Sequence, residues 1–259
     1  MNSVELKQSL KAGHSVLGTT VFEFGTPGIA RMLATTGVDF VFYDMEHSGF
    51  GIDTIRALMA QARATDVTAL VRPPANLPHL IGPILDTGAH GIIVPMVETA
   101  EQAERLVDAC KYYPLGHRGT GFGLAHDDFQ TGNVMEKMRD ANESTVCVAL
   151  IETEEGVRNV DDIARVPGLD VVWIGHFDLS QSLGIPGEFE HPRFTSAVQR
   201  VLEAANAHGI AAGMMVSDPA QAIDRIRQGF RCVAYWGDVW LLQRAIKQGI
   251  SAIRAGIGE

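Results

Sequence analysis

Two acidic residues each follow a short apolar segment and are the first candidates for chemistry. Glu152 comes directly after Ala149-Leu150-Ile151, and Asp178 follows Trp173-Ile174-Gly175-His176-Phe177. If the two segments are neighbouring parallel strands, which lie about 4.8 Å apart, the carboxylates can meet over one point. A few hard oxygen ligands suit Mg2+ or Mn2+ and leave coordination positions for a substrate. The alternative is that both acids only cap the helices that follow.

A second candidate group lies earlier in the chain, in Tyr43-Asp44-Met45-Glu46-His47. A carboxylate can orient a neighbouring histidine, and histidine is the usual side chain for proton transfer near neutral pH. Arg72 follows the apolar Ala69-Leu70-Val71, where a fixed cation can stabilise a carboxylate or an enolate oxygen. The alternatives are a loop-capping role for His47 and a salt bridge from Arg72 to Asp44 or Glu46.

Asp86 is a third candidate because of its place in Leu85-Asp86-Thr87-Gly88, at the predicted C-terminal end of a helix. A negative charge at that end opposes the helix dipole and needs a compensating contact. Pairing with His47 would provide one.

The elements that must position these residues form a repeated unit of short apolar strand, loop and amphipathic helix. Most of the strand segments are nearly continuous apolar runs, as expected for parallel strands buried on both faces. The predicted strands are 15–20, 39–44, 68–72, 91–95, 145–151, 170–175, 210–215 and 230–235. The predicted helices are 29–36, 52–64, 77–87, 100–111, 155–166, 193–208, 219–228 and 239–254.

Such an alternation allows a closed barrel or an open doubly wound sheet. The absence of a Gly-x-Gly-x-x-Gly motif after the first strand weakens the open, dinucleotide-binding sheet. Polar residues after several different strands favour a (β/α)8 TIM barrel, with a single domain over 1–259. An irregular insert, at about 112–143 and with a predicted helix at about 133–142, interrupts the repeat. We predict that it lies on the strand-end side as a lid, a binding loop or an interface element.

Composition and charge exclude several classes of partner and compartment. The formal net charge is -10, from 31 acidic and 21 basic residues, so nucleic acids and anionic membranes are not expected partners. An export signal and an apolar run long enough to span a bilayer are not found, which predicts a cytoplasmic protein. The three cysteines have no metal-ligand spacing, and those at 147 and 232, inside apolar runs, predict small buried hydrophobic residues.

Several short blocks, in this order along the chain, resemble the HpcH/HpaI aldolase family, whose members are class II pyruvate aldolases. The resemblance runs from about Gly18 to Trp240. The blocks are Asp44-Met45-Glu46-His47, Val71-Arg72-Pro73, Leu85-Asp86-Thr87-Gly88-Ala89, Val94-Pro95-Met96-Val97, Tyr113-Pro114-Leu115-Gly116-His117-Arg118-Gly119, Ile151-Glu152-Thr153 and Ile174-Gly175-His176-Phe177-Asp178-Leu179-Ser180.

The resemblance implies a barrel of the phosphoenolpyruvate/pyruvate type and a role for each matching residue. Glu152 and Asp178 would be the protein ligands of Mg2+, Mn2+ or Co2+, to which pyruvate binds. Arg72 would stabilise the enolate at the keto oxygen. His47 would act as the base, with Asp86 orienting it and Asp44 nearby. The backbone N–H groups of Phe177 and Asp178 would hold the pyruvate carboxylate.

The resemblance also implies a homo-oligomer, a trimer or a hexamer, in which neighbouring subunits help to shape the site. The predicted last helix, 239–254, carries more apolar residues than one outer helix of a barrel needs, and in the family this helix is exchanged between subunits.

Three residues depart from the family pattern, and their effect on acceptor specificity is open. Leu150 stands where the family often has Gln, His176 where it often has Pro, and bulky Phe177 where a small residue is common beside pyruvate. Glu23 has no predicted role. The sequence does not name the aldehyde or the direction of the reaction.

Other functions remain possible on the same scaffold. An oxaloacetate decarboxylase would use the same enolate, and so would a citramalyl-CoA or malyl-CoA lyase, although no cluster of Lys and Arg suggests a CoA site. An isomerase acting through an enediolate is a further alternative. A non-catalytic binding protein on a decayed barrel would be expected to lack the ligands that are present here.

Overall fold

The chain folds into a closed barrel of eight parallel strands, each paired with the next and β8 with β1. A computed structural model describes residues 1–258. The strands are β1 Val16–Val21, β2 Phe40–Asp44, β3 Thr68–Arg72, β4 Gly91–Val94, β5 Val146–Ile151, β6 Val171–Ile174, β7 Ala211–Val216 and β8 Cys232–Gly237. The predicted (β/α)8 barrel is confirmed, and so is each predicted strand to within two residues at either end.

Helices follow the strands and pack around the barrel. They are α1 Ser3–Lys11, α2 Gly28–Ala34, α3 Ile52–Ala62, α4 Pro78–Asp86, α5 Ala100–Cys110, α6 Val134–Ser144, α7 Glu154–Arg158, α8 Val160–Ala164, α9 His176–Ser182, α10 Pro192–Ala207, α11 Pro219–Gln228 and α12 Asp238–Ile257. A single 3-10 turn, Ala125–Asp127, lies in the segment between α5 and α6.

The prediction of one helix over 155–166 was wrong. The structure has two short helices, α7 and α8, separated at Asn159, whose backbone leaves the helical range (φ -95°, ψ 6°). Two helices were not predicted. The first, α1, lies before β1, and the second, α9, is only seven residues long and begins directly after Gly175.

Alternate residues of each strand face two different cores. Phe40 and Phe42 of β2 belong to the cluster inside the barrel, whereas Val41 and Tyr43 pack against the surrounding helices. Leu6 of α1 is fully buried in the inner cluster, so α1 closes the N-terminal end of the barrel. Cys147 and Cys232 are buried, as predicted, and Cys110 is buried as well.

The insert lies at the N-terminal ends of the strands, not on the strand-end side as predicted. It follows α5 and precedes β5, and the helices run back from the C-terminal ends of the strands. Its Asp128 accepts two hydrogen bonds from Arg63 at the end of α3 (2.8 and 2.6 Å). The Asn142 side chain holds the backbone N–H and C=O of Tyr112 (2.7 and 2.9 Å). The insert therefore cannot act as a lid over the strand ends of its own barrel.

One carboxylate joins the last strand–helix connection to the first. Asp238, the first residue of α12, accepts hydrogen bonds from the backbone N–H groups of Phe22, Glu23 and Phe24 (3.0, 3.1 and 2.8 Å). Since both oxygens are used, the loop after β1 is fixed to the base of α12.

The rest of α12 leaves the barrel surface. None of its residues is buried, and Leu242, Ile246, Ile250 and Ile253 are all exposed. Leu17 of β1 is also 47% exposed, which is unusual for an apolar residue on a barrel strand. None of the helices within residues 1–258 combines the length and the apolar character needed to cross a membrane.

His90 offers a test of the packing below β4. Its Nδ1 accepts the backbone N–H of Ala69 (3.0 Å), and burial lowers its pKa to about 4, aided by the charge of Arg63. An unfolded histidine titrates near 6.5, so the neutral ring stabilises the fold above that pH. As the pH falls from about 6.5 to about 4 this stabilisation is lost, which lowers the free energy of unfolding by about 3 kcal/mol.

We therefore expect His90→Asn to flatten the fall in the free energy of unfolding between pH 7 and pH 4.5, measured by urea titration at each pH. His79→Asn, at an exposed position, is the control and should keep the wild-type fall. An unchanged fall in His90→Asn would contradict the assignment.

Candidate active site

A cavity of about 380 Å3 opens at the C-terminal ends of the strands. The side chains of His47, Arg72, Glu152 and Asp178 line it together, as the predicted strand ends required. These residues come from four different strand ends, and the closed barrel is what brings them to one place.

Arg72 is the last residue of β3 and binds two carboxylates. Its Nε donates to Asp44 Oδ1 (2.6 Å), and its Nη1 lies 3.1 Å from Glu46 Oε2. Asp44 is fully buried and Arg72 is 7% exposed. Burial alone would lower the pKa of Arg72, but the hydrogen bond and the charge of Asp44 raise it. Both salt bridges that were the alternative prediction for Arg72 are present, and they fix the guanidinium within the cavity wall.

Asp44 also shapes the turn that carries His47. Its carboxylate accepts the backbone N–H groups of Glu46 (3.1 Å) and His47 (2.9 Å). The His47 side chain is 58% exposed, and its Nε2 lies 3.8 Å from Glu46 Oε2. Glu46 was not among the predicted site residues, although it contacts both Arg72 and His47. Its position in the Asp44–His47 block was the only signal available.

Glu152 follows β5 and turns its carboxylate into the cavity. Its Oε1 accepts the backbone N–H of Met96 (2.7 Å). Its pKa is raised to about 7. Burial is the main cause and the charges of Glu46 and Asp178 contribute, while the hydrogen bond from Met96 acts in the opposite direction. A Cβ at Gly175 would lie 2.3 Å from Glu152 Oε2, so a glycine is required beside this carboxylate.

Asp178 lies in the first turn of α9 and lines the same cavity. Within residues 1–258, His, Cys, Asp and Glu form no group of three or more with the geometry of a metal site. Glu152 and Asp178 are thus a pair of hard oxygen donors. Such a pair suits a cation that keeps most of its coordination positions for water and substrate.

A comparison with known proteins shows the family to which the chain belongs. The sequence model of the family described as HpcH/HpaI aldolase/citrate lyase matches residues 23–244. The chain belongs to the HpcH/HpaI aldolase/citrate lyase family. The resemblance seen in the sequence is therefore confirmed, and the protein is a carbon–carbon lyase.

Relatives of this HpcH/HpaI protein cover nearly its whole length. A hydroxypyruvate/pyruvate aldolase from Chromohalobacter salexigens is 36% identical over 228 residues, or 88% of this chain and 89% of the relative. A 2-keto-3-deoxy-L-rhamnonate aldolase from Salmonella schwarzengrund is 35% identical over 256 residues, or 96% and 92%. The crystal structure of an HpcH/HpaI aldolase from Desulfitobacterium hafniense matches with a TM-score of 0.91 at 34% identity and covers 96% of each chain.

The structure of this HpcH/HpaI protein does not bring Asp86 to His47. Asp86 is the last residue of α4, as predicted, but its Oδ1 accepts a hydrogen bond from Arg118 Nη2 (2.7 Å) and lies 3.9 Å from His126 Nδ1. The nine residues of α4 run back from the strand ends for about 14 Å, which separates the two side chains within one chain. Arg118 could not be predicted because it comes from the insert.

The residues that depart from the family pattern all lie at the cavity. Leu150, His176 and Phe177 line it, and so does Glu23, for which no role was predicted. The ring of His176 lies 4.5 Å from that of Phe177, between centroids, and burial lowers the pKa of His176 to about 4 against the charge of Asp178. Phe177 is 60% exposed, so a large apolar ring faces the open cavity.

The buried Arg72–Asp44 pair leads to a prediction about stability. Arg72→Met would leave the fully buried Asp44 without its cation, which should cost about 3 to 5 kcal/mol in the free energy of unfolding. Adding Asp44→Asn to Arg72→Met should recover part of this loss, because the uncompensated charge is removed.

Urea unfolding measures both effects. Arg193→Met is the matched control, since its ion pair with Glu154 (3.4 Å) is more than half exposed on both sides and should contribute less than about 1 kcal/mol. A wild-type urea midpoint for Arg72→Met would contradict the prediction.

Proposed function

We propose that this protein is a divalent-metal-dependent aldolase that reversibly cleaves 4-hydroxy-2-oxo acids into pyruvate, or a close 2-oxo acid, and an aldehyde. The observation that carries the proposal is the convergence of Arg72, Glu152, Asp178 and His47 on one cavity. The names of the aldolase relatives, which include pyruvate and keto-deoxy sugar acids, support the substrate class.

Glu152 and Asp178 would hold the metal, Mg2+, Mn2+ or Co2+. Their donor atoms fit a hard cation, and a positive charge would offset the mutual repulsion of Glu46, Glu152 and Asp178. When bound, such a cation withdraws electron density from the 2-oxo acid and favours its enolate. Family membership supports a divalent metal, and the choice of ion is part of the proposal.

The chain's own residues would orient the 2-oxo acid and stabilise its charge. Arg72, held by Asp44 and Glu46, would direct its guanidinium at the keto oxygen, where negative charge develops. The backbone N–H groups of Phe177 and Asp178 lie in the first turn of α9, where they have no partner within the helix. They would donate hydrogen bonds to the substrate carboxylate.

His47 would remove the proton from C3 of pyruvate. Its exposed ring can reach a substrate in the cavity, and Asp44 fixes the backbone from which it projects. Because α4 separates Asp86 from His47 within one chain, a His47–Asp86 pair can form only between two copies of the chain.

The exchange of the pyruvate methyl protons in D2O, followed by NMR, tests the proposal without the natural aldehyde. We expect metal-dependent exchange by the wild type. Glu152→Gln should abolish it and weaken Mn2+ binding, because a ligand is lost. His47→Ala should slow exchange by about a hundredfold or more while Mn2+ and pyruvate still bind near wild-type affinity.

A matched pair of glycine variants serves as the control for the metal site. Gly175→Ala pushes a methyl group into Glu152 and should weaken Mn2+ binding, whereas Gly82→Ala, with open space around its Cβ, should not. Full exchange in excess chelator would contradict the metal proposal, and a wild-type rate in His47→Ala would contradict the base.

We also propose that the protein is a trimer or hexamer in which α12 packs on another copy of the chain. The exposed apolar face of α12 and the uncovered Leu17 of β1 support this, since an apolar helix needs a surface to cover it. Cytoplasmic localisation fits the absence of an apolar helix long enough to span a membrane within residues 1–258 and stays a prediction.

Light scattering at micromolar concentration tests the assembly. Ile246→Glu together with Ile250→Glu should reduce the particle mass towards that of a monomer, because two charges enter the apolar face. Gln248→Glu, about 200° around α12 from Ile246, should keep the wild-type mass. A monomeric wild type would contradict the proposal.

A further inference from the structure

The active-site cavity has a polar side and an apolar side. Because the strands follow one another in order around the barrel, the polar residues at the ends of β2, β3, β5 and β6 lie on one side of the cavity, with β4 between them. The opposite arc, from β7 through β8 to β1, is mostly apolar. Its lining residues include Phe22, Met215, Val239 and Trp240. A reactant that meets the enolate from the side opposite the polar groups contacts this apolar arc.

A second cavity, of about 290 Å3, continues from the apolar arc. The two cavities share part of their walls, in which His176, Phe177, Met215 and Trp240 are common to both. We call the second one the side cavity. Its other apolar lining residues are Phe189, Phe194, Met214, Val216 and Trp236.

The wall shared by the cavities continues as a row of aromatic rings. Phe177 meets Phe189 edge to face at 5.3 Å between centroids, and Phe189 meets Phe194 at 5.4 Å. Phe177 is 60% exposed, so its ring is available for a further partner. Another aromatic or branched apolar group can pack against this ring and extend the row. Aromatic rings prefer such edge-to-face or offset packing.

The charges around the apolar arc offer no excess of positive charge to an anionic acceptor. The side cavity also has a polar lining of Glu190, Ser217, Gln221 and Arg225, in which one acid stands beside one base. Arg225 donates a hydrogen bond to Gln228 (2.9 Å). In the main cavity Glu23 adds a negative charge, and Arg72 already binds two carboxylates.

We infer that the acceptor is a neutral, apolar aldehyde, aromatic or branched, whose side chain packs against Phe177 and enters the side cavity. The inference rests on the proposed function. The methyl carbon of pyruvate loses a proton and bonds to the aldehyde carbon, and the aldehyde oxygen takes up a proton. The product is a 4-hydroxy-2-oxo acid with an apolar substituent at C4, and cleavage is the reverse.

Condensation of pyruvate with three aldehydes tests the inference, with product formation measured by mass spectrometry and kcat/KM compared. The probes are phenylacetaldehyde, D-glyceraldehyde and succinic semialdehyde. We expect the kcat/KM for phenylacetaldehyde to exceed both other values by at least about tenfold, since its ring can pack against Phe177 and the apolar arc, which the other two side chains cannot do.

Phe189→Ala tests the side cavity itself, because Phe189 lines only that cavity. The variant should lower kcat/KM for phenylacetaldehyde by about tenfold or more and leave D-glyceraldehyde and pyruvate methyl exchange within about twofold of wild type. Phe189→Leu keeps most of the packing and should show a smaller loss in the same direction. Phe129→Ala, which removes an exposed ring outside both cavities, is the control.

Three outcomes would overturn the inference. One is an unchanged aldehyde preference in both Phe189 variants. Another is equal use of all three aldehydes by the wild type. A third is a preference for succinic semialdehyde that Arg225→Leu abolishes, which would assign the side cavity to a carboxylated acceptor. Failure of the wild type to exchange pyruvate protons would instead refute the proposed function, and the inference with it.

Discussion

The guanidinium of Arg72 is surrounded by carboxylates, and this crowding of negative charge constrains the rest of the active site. Asp44 is fully buried against it, Glu46 lies 3.1 Å away, and Glu152 is close enough for its charge to be felt. One guanidinium cannot neutralise three carboxylates, and burial raises the free-energy cost of the negative charge that remains. Burial is the main reason that the pKa of Glu152 is raised to about 7, and the charges of Glu46 and Asp178 add to the rise. A substrate oxygen that becomes negative here needs further positive charge, which is why a divalent cation fits the site.

The barrel solves a geometric problem that no single segment of the chain can solve. Short parallel strands end at one face, so residues far apart in sequence reach one cavity without long loops. The same rule places helix ends at the other face, where Asp86 meets Arg118 of the insert. The active-site residues and the insert thus lie at opposite ends of one barrel. Any contribution of the insert to catalysis must be made to a different copy of the chain.

The strands and the main site residues could be predicted because both depend on local patterns. Short, mostly apolar runs mark β1 to β8. Arg72 ends such a run, Glu152 follows one directly, and Asp178 comes four residues after the end of another. The partner of Asp86 could not be predicted, since Arg118 approaches only after the insert has folded back on α4. The break at Asn159 was missed because the apolar periodicity continues across it. The short α9 has too few residues to show a period at all.

The carboxylate of Asp238 connects the start of α12 to the wall of the active-site cavity. It fixes Phe22, Glu23 and Phe24 to the first residue of α12, and Phe22 and Glu23 line the cavity. Val239 and Trp240, next along α12, line the same cavity. The long outward helix and the apolar wall therefore share one rigid base. A displacement of α12 would move the loop after β1 and the apolar wall of the cavity together with it.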